Sequence, residues 1–500
     1  HSFPTRRSSD LQELTAEAFK LRKNSQQKLH LAFVDEAKKR PFKFCMADST
    51  GQKLNYLQVL TGIVLFSQKL FGKEAGDSEK VGILLPSSCA GSMANGAALF
   101  AGKIPVNLNF TASKESLDSC VAQCGMKKII TSRIFLKKAK LEERPGMVFF
   151  EDLVRKVSSK DKALIAAALF VLPKFLIKAL FVRGDKRNVD DLATIIFSSG
   201  STGQPKGVML SHSNIFSNIE ALYQVLKIRD DDIVLGVLPF FHSFGFTATL
   251  CMPVGVGLGV VYHSNPLDAG TIGELAQKYK ATILLGTPTF FSAYIRKCTK
   301  EQFASMRYAG VGAEKLKTSL SQAFFKKFGV VPFEGYGTTE LSPVVAMAVP
   351  DYISHDERIK QVGYKEGKVG HPIPGVAAKI VNPDTFETLP FNSEGLLLIK
   401  GPNVMLGYLN NPEKTAEVLR DGWYVTGDIA VIDEDGFICI TDRLSRFSKI
   451  GGEMVPHIKV EEEILNVLEA IEQVCAVTSV PDEKRGERLV VLYQGEVDVQ

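Results

Sequence analysis

The sequence lacks a strong excess of either charge. Its 500 residues carry 60 Lys and Arg against 55 Asp and Glu, a formal net charge of +5. We therefore expect no nucleic-acid partner, although an anionic ligand or a membrane surface would suit this small surplus. Internal repeats and low-complexity tracts are also missing. With 45% hydrophobic residues, the composition is that of a globular protein with a large core.

Paired cysteines and targeting segments are scarce too. Eight cysteines are scattered along the chain, and only Cys120 and Cys124 lie one helical turn apart. Because no second pair completes a zinc-binding set, we expect free thiols in a reducing cytoplasm. The first ten residues contain no apolar stretch and are not a secretory signal. We interpret residues 1–10 as a tag-like leader outside the fold.

The sequence does contain an alternation of short apolar runs and amphipathic stretches of helical length. It begins near Leu31 and predicts an α/β fold with parallel sheets. From Val369 the apolar runs become shorter and turn signals more frequent, which predicts shorter strands. The clearest candidates for buried strands are residues 81–85, 128–130, 194–197, 283–285 and 329–331.

One stretch, residues 163–182, is nearly all apolar. Pro173, Lys174 and Lys178 interrupt it, which argues against a helix that spans a bilayer. Two interpretations remain open. The stretch is either a core helix or hydrophobic lid, or a helix in the plane of a membrane surface, with its lysines at head-group level. The second interpretation would make a membrane surface a partner.

The strongest local signal is a strand that runs into a loop rich in glycine and hydroxyl groups, IIFSSGSTGQPKG at residues 195–207. Glycines let backbone N–H groups approach an anion closely, hydroxyls add donors, and Lys206 supplies a mobile positive charge. A polyphosphate is the expected ligand. The loop is not a Walker A motif, because Pro205 stands where that motif needs glycine. A flexible surface turn is the alternative, but such linkers rarely follow a strand and carry a lysine.

The segment SSGSTGQPKG resembles the signature of the adenylate-forming superfamily, which includes acyl-CoA synthetases, luciferases and peptide-synthetase adenylation domains. Three further motifs follow in family order. They are GYGTTE at residues 335–340, WYVTGD at 423–428, and the hinge residues 442–443 with KIGGE at 449–453. The resemblance extends over residues 31–500.

The resemblance implies an architecture. We expect an α/β N-terminal AMP-binding domain at residues 11–442, with two parallel-type α/β sheet subdomains and a β-rich subdomain. A small, mobile α+β C-terminal domain should follow at residues 443–500. We interpret this second domain as incomplete, since relatives carry a lysine loop near their C-terminus and the sequence has no lysine after Lys484. Adenylation by the chain as given is therefore expected to be slow.

The resemblance also implies ATP and Mg²⁺ as cofactors. Attack of a carboxylate on a phosphate brings two anions together, so the reaction needs positive charge and oriented donors. Glu340 would anchor the metal ion, together with the hydroxyl of Ser198. Thr202 and Lys206 would hold the β- and γ-phosphates.

Several motifs would bind the adenosine part of ATP. Gly312-Ala313-Glu314 would line the base, on which Tyr336 would stack, although a packed core aromatic is the alternative for this tyrosine. Asp428 would accept hydrogen bonds from the ribose hydroxyls, and Arg443 would contact ribose or phosphate. The predicted nucleotide- and thiol-binding residues are Ser198, Ser199, Gly200, Ser201, Thr202, Gly203, Gly312, Ala313, Glu314, Tyr336, Gly337, Thr338, Thr339, Asp428, Arg443, Gly451 and Gly452.

His242 and Lys449 complete a predicted catalytic set with Lys206 and Glu340. His242, within FFHSFG at residues 240–245, would gate the acid or orient its carboxylate, although a histidine among phenylalanines is also typical of a packed core. Lys449 matches a lysine that serves the second half-reaction in some relatives. The Gly451-Gly452 pair would line the tunnel for a phosphopantetheine thiol, carried by acyl carrier protein or CoA.

Some longer segments are closer to one branch of the superfamily. They resemble the synthetase half of bifunctional acyl-ACP synthetase/2-acylglycerophosphoethanolamine acyltransferases. This implies a long-chain fatty acid as substrate, acyl carrier protein as partner, and lysophospholipid repair at the inner membrane. Arg446, Lys449 and Lys459 would meet the acidic carrier protein, or form an ordinary solvated basic face. The segments are residues 105–110, 238–267, 401–405 and 442–449.

Other functions remain open at this point. A long-chain acyl-CoA ligase differs only in the thiol that accepts the acyl group. A catalytically idle module that binds acyl groups or nucleotides would explain the missing lysine loop. A membrane acyltransferase would need a further domain upstream.

Overall fold

The computed structural model describes residues 27–71, 78–182, 188–198, 204–353, 360–450, 453–468, 474–482 and 486–494. A π-helix, Gly245–Cys251, directly precedes the short α-helix Met252–Val256. The α-helices are α1 (Leu29–Lys39), α2 (Tyr56–Leu70), α3 (Cys89–Phe100), α4 (Lys114–Cys124), α5 (Arg133–Ala139), α6 (Phe150–Arg155), α7 (Ser159–Val171), α8 (Lys174–Phe181), α9 (His212–Val225), α10 (Met252–Val256), α11 (Ala269–Tyr279), α12 (Pro288–Lys297), α13 (Thr318–Phe328), α14 (Pro412–Val418) and α15 (His457–Val467).

The β-strands are numbered in the same way. They are β1 (Phe44–Asp48), β2 (Lys53–Asn55), β3 (Lys80–Ile83), β4 (Ile104–Asn107), β5 (Ile129–Thr131), β6 (Met147–Phe149), β7 (Leu192–Ser198), β8 (Lys206–Ser211), β9 (Ile233–Gly236), β10 (Gly259–Tyr262), β11 (Ile283–Gly286), β12 (Tyr308–Val311), β13 (Pro332–Gly337), β14 (Val344–Met347), β15 (Tyr352–Ile353), β16 (Lys360–Gln361), β17 (His371–Pro372), β18 (Ala377–Val381), β19 (Glu394–Lys400), β20 (Gly407–Tyr408), β21 (Leu419–Arg420), β22 (Trp423–Ile432), β23 (Ile438–Arg443), β24 (Phe447–Ile450), β25 (Glu453–Pro456), β26 (Cys475–Asp482) and β27 (Gly486–Tyr493).

Two sheets are built mainly from parallel strands. Within the described ranges the larger sheet has nine strands, in the order β17-β14-β13-β12-β11-β9-β10-β1-β2. Its strands from β13 to β1 are parallel, and β14, β17 and β2 add antiparallel pairs at the two edges. The other sheet, β4-β3-β5-β6, is parallel throughout. β11 is buried along its whole length, as a central strand of a parallel sheet must be.

The later part of the chain is richer in β-structure. β18, β19, β22 and β21 form an antiparallel sheet, to which β23 is added through β22. The last sheet, β25-β24-β27-β26, packs with helix α15 and gives an α+β unit. The α/β fold class expected from the sequence is therefore confirmed. The domain boundary predicted after residue 442 falls at the end of β23 and remains a prediction.

Two of the predicted strands need correction. The strand expected at residues 194–197 exists as β7, but it pairs antiparallel with β8 and does not join a parallel sheet. The loop after Ser198 therefore connects the two strands of a hairpin. The strand expected at residues 329–331 is wrong, because Gly329 ends helix α13 in the left-handed conformation, at φ 75°. The next strand, β13, begins at Pro332, and glycine with a nearby proline is a typical end of a helix.

Residues 163–182 form most of two helices, α7 and α8, which are separated at Leu172 and Pro173. Leu169 and Ile177 are fully buried, so one side of each helix packs on the core. Large apolar side chains on the other side are exposed. In the described ranges, no helix combines the length and the apolar character needed to cross a bilayer.

Candidate active site

The sheet topology brings distant motifs to one edge. Strands β9, β11, β12 and β13 are parallel neighbours, so their carboxyl ends meet along the same side of the large sheet. His242 follows β9, the segment 312–314 follows β12, and Tyr336 lies at the end of β13, directly before residues 338–340. Ligands of open α/β sheets bind outside the carboxyl ends of the strands. This edge is therefore where the predicted site residues can act together.

Asp428 sits at the centre of a polar cluster. Its carboxylate accepts a hydrogen bond from the Tyr336 hydroxyl through Oδ2, and one from Arg443 Nε through Oδ1 at 2.9 Å. Asp428 and Arg443 lie opposite each other on β22 and β23, which explains how residues 15 apart form this pair. Asp428 is only 2% exposed, and burial raises the pKa of its carboxyl although Arg443 and Tyr336 act in the opposite direction.

The Tyr336 hydroxyl is thus engaged with Asp428. Burial, followed by the nearby Asp428 charge, raises the pKa of Tyr336 well above its ordinary value, so the hydroxyl remains a donor. The predicted base-binding residue and the predicted ribose-binding residue are in direct contact. That contact fixes the position of the aromatic ring relative to the carboxylate.

Glu340 is held by a tyrosine that the motifs did not single out. The Tyr408 hydroxyl donates a hydrogen bond to Glu340 Oε1 at 2.9 Å, and Lys206 Nζ lies 5.9 Å from the centre of the Tyr408 ring. Tyr408 is 6% exposed. Burial, and then the Glu340 charge, raise the pKa of Tyr408, which keeps its hydroxyl protonated. Tyr408 lies 68 residues from Glu340 in the sequence. The sequence next to Tyr408 offers only a Gly-Tyr pair at residues 407–408 as a sign of a functional residue.

The turn between Tyr336 and Glu340 fits an anionic ligand. Thr338 Oγ1 is buried and, among the residues that the structure describes, has no hydrogen-bond partner. Such an orphaned hydroxyl is unfavourable unless a ligand supplies an acceptor, and a phosphate oxygen is one. Thr339 Oγ1 lies 3.2 Å from Ser243 Oγ, which ties the turn to the segment after β9. Gly337 is required here, because a Cβ would lie 1.8 Å from the Pro343 carbonyl oxygen.

The segment 312–314 has a strained backbone. Ala313 has φ 69°, in the left-handed region that side chains other than glycine rarely adopt. A Cβ on Gly312 would approach both the Gly335 carbonyl oxygen and the Phe244 ring at 3.4 Å. Glu314 Oε2 accepts a hydrogen bond from the Thr289 hydroxyl at 2.8 Å. Backbone strain of this kind is often kept at ligand-binding sites.

His242 is exposed rather than packed in the core. Its ring centre lies 4.7 Å from that of Phe241, and the π-helix Gly245–Cys251 begins three residues later. Although the side chain is exposed, surrounding protein atoms desolvate the imidazole and lower the pKa of His242. A neutral imidazole at physiological pH can orient a carboxylate through one N–H.

The structure describes only part of the predicted phosphate loop. Ser198 is the last residue of β7 and Lys206 the first of β8, and the register of the hairpin places them opposite each other. Residues 199–203, which include Ser199, Gly200, Ser201, Thr202 and Gly203, lie outside the described residues, as do Gly451 and Gly452. Lys449 lies on β24, opposite Met454 of β25. The roles predicted for all these residues remain predictions.

A cavity of about 910 Å³ lies elsewhere, at the carboxyl ends of β1, β3 and β5. Helices α2 and α7 contribute to its wall through residues such as Leu57, Leu65 and Ala166. None of the described residues that line it belongs to the predicted adenylation set. This cavity and the predicted chemistry are therefore in different places, and we assign the chemistry from the polar cluster.

Comparison with known proteins identifies the class. A sequence profile of the AMP-binding enzyme family matches residues 33–409. The chain is 29% identical to a long-chain-fatty-acid–CoA ligase of Bacillus subtilis (strain 168) over 487 residues, 89% of this chain and 82% of that ligase. It is 30% identical to 4-coumarate–CoA ligase 1 of Petroselinum crispum over 474 residues, 92% and 83% of the two chains. A long-chain-fatty-acid–CoA ligase of Salmonella typhimurium is 34% identical, over 60% of this chain and 52% of that ligase.

Solved structures have the same fold. ATP-bound MatB from Rhodopseudomonas palustris superposes with a TM-score of 0.75 at 25% identity, over 95% of this chain and 90% of that one. The o-succinylbenzoate CoA synthetase MenE of Bacillus subtilis, in complex with its acyl-adenylate intermediate, gives a TM-score of 0.78 at 22% identity, over 94% and 90%. The chain belongs to the AMP-binding enzyme family. It is an ATP-dependent ligase of the class that forms acyl adenylates, and the resemblance read from its motifs is confirmed.

Proposed function

We propose that this protein activates a long-chain fatty acid with ATP and then transfers the acyl group to a phosphopantetheine thiol. In the first half-reaction a carboxylate oxygen bonds to the α-phosphorus, and the bond to pyrophosphate breaks. In the second, the thiol sulfur bonds to the acyl carbon, the bond to AMP breaks, and the thiol proton is released. The observation that carries the proposal is the unpartnered Thr338 hydroxyl, in the same turn as Glu340 and beside the Tyr336–Asp428 pair.

The residues of the site have separate tasks in this proposal. Asp428 and Tyr336 hold the nucleoside, with Arg443 beside them. Lys206 neutralises phosphate charge, and Thr338 donates to a phosphate oxygen. When bound, Mg²⁺ would add charge neutralisation at the phosphates, with Glu340 and Ser198 as its protein ligands.

His242 and Lys449 act on the other two reactants. His242, as a neutral donor, orients the acid. Lys449 serves thioester formation from the segment that begins at residue 443, which we propose is a separate, mobile domain. Gly451 and Gly452 leave room for the pantetheine arm. A Gly452→Leu variant should keep pyrophosphate exchange and lose thioester formation, and equal loss of both steps would contradict this assignment.

Two observations support a long-chain fatty acid as the substrate. Several curated relatives are named as long-chain-fatty-acid–CoA ligases, and the four branch segments resemble a fatty-acid-specific synthetase. A 4-coumarate–CoA ligase is also similar, so an aromatic acid is the competing substrate. The acyl thioester would serve lysophospholipid reacylation or fatty acid recycling.

Acyl carrier protein is the acceptor that the branch segments favour. Lys459 is exposed on α15, and Arg446 pairs with Glu461, so the basic surface for an acidic carrier is partly neutralised. CoA is the second candidate, because the similar curated ligases are named for CoA. Only one of the two needs to be the physiological acceptor.

Two assays test the proposal in order. Pyrophosphate exchange should be faster with palmitate than with 4-coumarate, and no exchange with any acid would favour an idle nucleotide-binding module. Radiolabelled palmitate is then supplied with acyl carrier protein or with CoA at equal thiol concentration. Faster labelling of the carrier protein supports the proposal, and exclusive labelling of CoA would make the protein an acyl-CoA ligase.

A further inference from the structure

Helices α7 and α8 expose an unusual set of large apolar side chains. Their inner side is anchored by Leu169 and Ile177, which are fully buried. The outer side carries large residues between 49% and 76% exposed. The ring of Phe42, a residue 69% exposed, lies 5.5 Å from that of Phe170, measured between ring centres. We call these six side chains the apolar patch: Phe42, Leu164, Phe170, Val171, Phe175 and Leu180.

The segment that carries most of the apolar patch is rich in basic residues. Residues 155–182 contain six basic residues and one acidic residue, a net charge of +5 that equals the net charge of the whole chain. Lys174 and Lys178 pair with Asp35 at 3.6 and 3.1 Å, which holds the start of α8 against α1. Lys38 donates to the carbonyl oxygens of Leu169 and Phe170, at the end of α7. The remaining basic residues of the segment are Arg155, Lys156, Lys160 and Lys162.

The patch has the properties of a surface that meets lipid. Contiguous exposed apolar side chains mark interaction sites, because a monomer gains nothing from leaving them in water. Helices α7 and α8 are 13 and 8 residues long and are separated at Pro173, so neither can cross a bilayer. Apolar side chains with flanking lysines are the combination that places a helix in the plane of a membrane surface.

The charge disfavours the simplest alternative partner, a second copy of this chain. A second copy related by a twofold axis would bring two identical segments together, and each still carries a net charge of about +4 when the paired Asp35 is counted. Like charges across an interface are unfavourable, whereas anionic lipid head groups would neutralise the lysines and the arginine of the segment. The occupant that fits both the apolar and the basic side chains is therefore a negatively charged bilayer surface.

We propose that the apolar patch docks this protein on anionic membranes, with the side chains of α7 and α8 inserted among the acyl chains and the surrounding lysines at the phosphate level. The protein then lies on the bilayer without crossing it. Docking is a property of the folded chain and does not require the proposed ligase activity. It would place the enzyme where long-chain acids accumulate.

Vesicle sedimentation tests the proposal without ATP or acid. The protein should bind vesicles that mix phosphatidylglycerol with phosphatidylcholine, bind pure phosphatidylcholine vesicles much more weakly, and be released by salt. Equal binding to both vesicle types would overturn the proposed role of the basic residues. No binding to either would overturn the proposal as a whole.

Matched variants separate docking from folding. Leu164→Ser with Phe175→Ser should weaken vesicle binding by about tenfold or more, since two apolar side chains are removed from the lipid. Lys160→Glu should weaken it by about fivefold or more, because a cation near the surface is replaced by an anion. Phe325→Ser, at a side chain 52% exposed on α13, is the control and should bind as the wild type does.

The unfolding temperature must be the same for all these variants, because only exposed residues are changed. If the patch variants bind vesicles as tightly as the control, the proposal is wrong. Sedimentation velocity supplies the last outcome: a dimer that the patch variants dissociate would assign the patch to a second copy. Failure of vesicle binding would leave pyrophosphate exchange unaffected, so the docking proposal and the ligase proposal fail separately.

Discussion

The hydrogen bond from Tyr408 to Glu340 predicts a specific defect in metal binding. Tyr408→Phe removes one hydroxyl and leaves a ring of almost the same shape. Glu340 Oε1 then loses a donor that lies at 2.9 Å, while its main chain still accepts a hydrogen bond from Met405 N. The carboxylate remains in the turn but is free to rotate. Its position relative to the phosphates is no longer fixed.

The magnitude follows from the kind of bond. A hydrogen bond to a charged group contributes about 1.5–3 kcal/mol. If that energy is used to hold Glu340 in place for Mg²⁺, the metal concentration for half-maximal pyrophosphate exchange should rise roughly 10- to 100-fold. The rate at saturating Mg²⁺ should change much less, because the carboxylate itself is still present.

The assay is a titration of pyrophosphate exchange with Mg²⁺ at fixed ATP and palmitate, joined to calorimetry of Mn²⁺ binding in the presence of ATP. Tyr223→Phe is the control, since this side chain is 40% exposed on α9 and should tolerate loss of its hydroxyl. An unchanged metal requirement in Tyr408→Phe, with only a lower unfolding temperature, would refute the reasoning and leave Tyr408 a packing residue.

The other predictions concern the same cluster. Glu340→Ala and Lys206→Ala should each lower pyrophosphate exchange on the order of 10²-fold, as expected for one electrostatic contact in a transition state, and wild-type rates in both would remove them from the site. Gly337→Ala should prevent folding, because its Cβ would meet a carbonyl oxygen at 1.8 Å, whereas Gly427→Ala, with nothing within 4 Å but a left-handed φ of 77°, should cost about 1–2 kcal/mol in a urea melt. Asp428→Asn should weaken ATP binding in calorimetry yet raise the unfolding temperature at neutral pH. Burial raises the pKa of the Asp428 carboxyl. The contribution of this group to the free energy of unfolding is therefore present at low pH, and it is lost as pH rises through the pKa of the folded state.

The local sequence predicted the polar motifs better than it predicted the strands and helices around them. Ser198 and Lys206 were recognised from the composition of their loop, and they do lie opposite each other. That the loop joins two antiparallel strands was missed, because the six residues of β8 are too short for a clear periodicity. Gly329 was predicted to begin a strand, although it ends helix α13. The sequence Gly-Val-Val suits a buried strand as well as a helix end, so its composition did not distinguish the two.

Contacts between distant segments could not be predicted. The contact of Tyr408 with Glu340 spans 68 residues, and nothing near Tyr408 indicates its partner. The sequence left two interpretations for residues 163–182, and the structure shows that each helix packs one side on the core and exposes the other. Leu169 and Ile177 are core residues, whereas Leu164 and Phe175 lie outside, because each helix has two sides and the apolar composition does not distinguish them.

Strand β23 ends in two neighbouring residues with different attachments. Asp442 Oδ2 accepts a hydrogen bond from Ile458 N at the start of α15, at 3.1 Å, while Arg443 next to it holds Asp428. Any swing of α15 away from β23 must break the first bond and pull on the residue that makes the second. The Tyr336–Asp428 cluster and the start of α15 are thereby attached to adjacent residues of one strand.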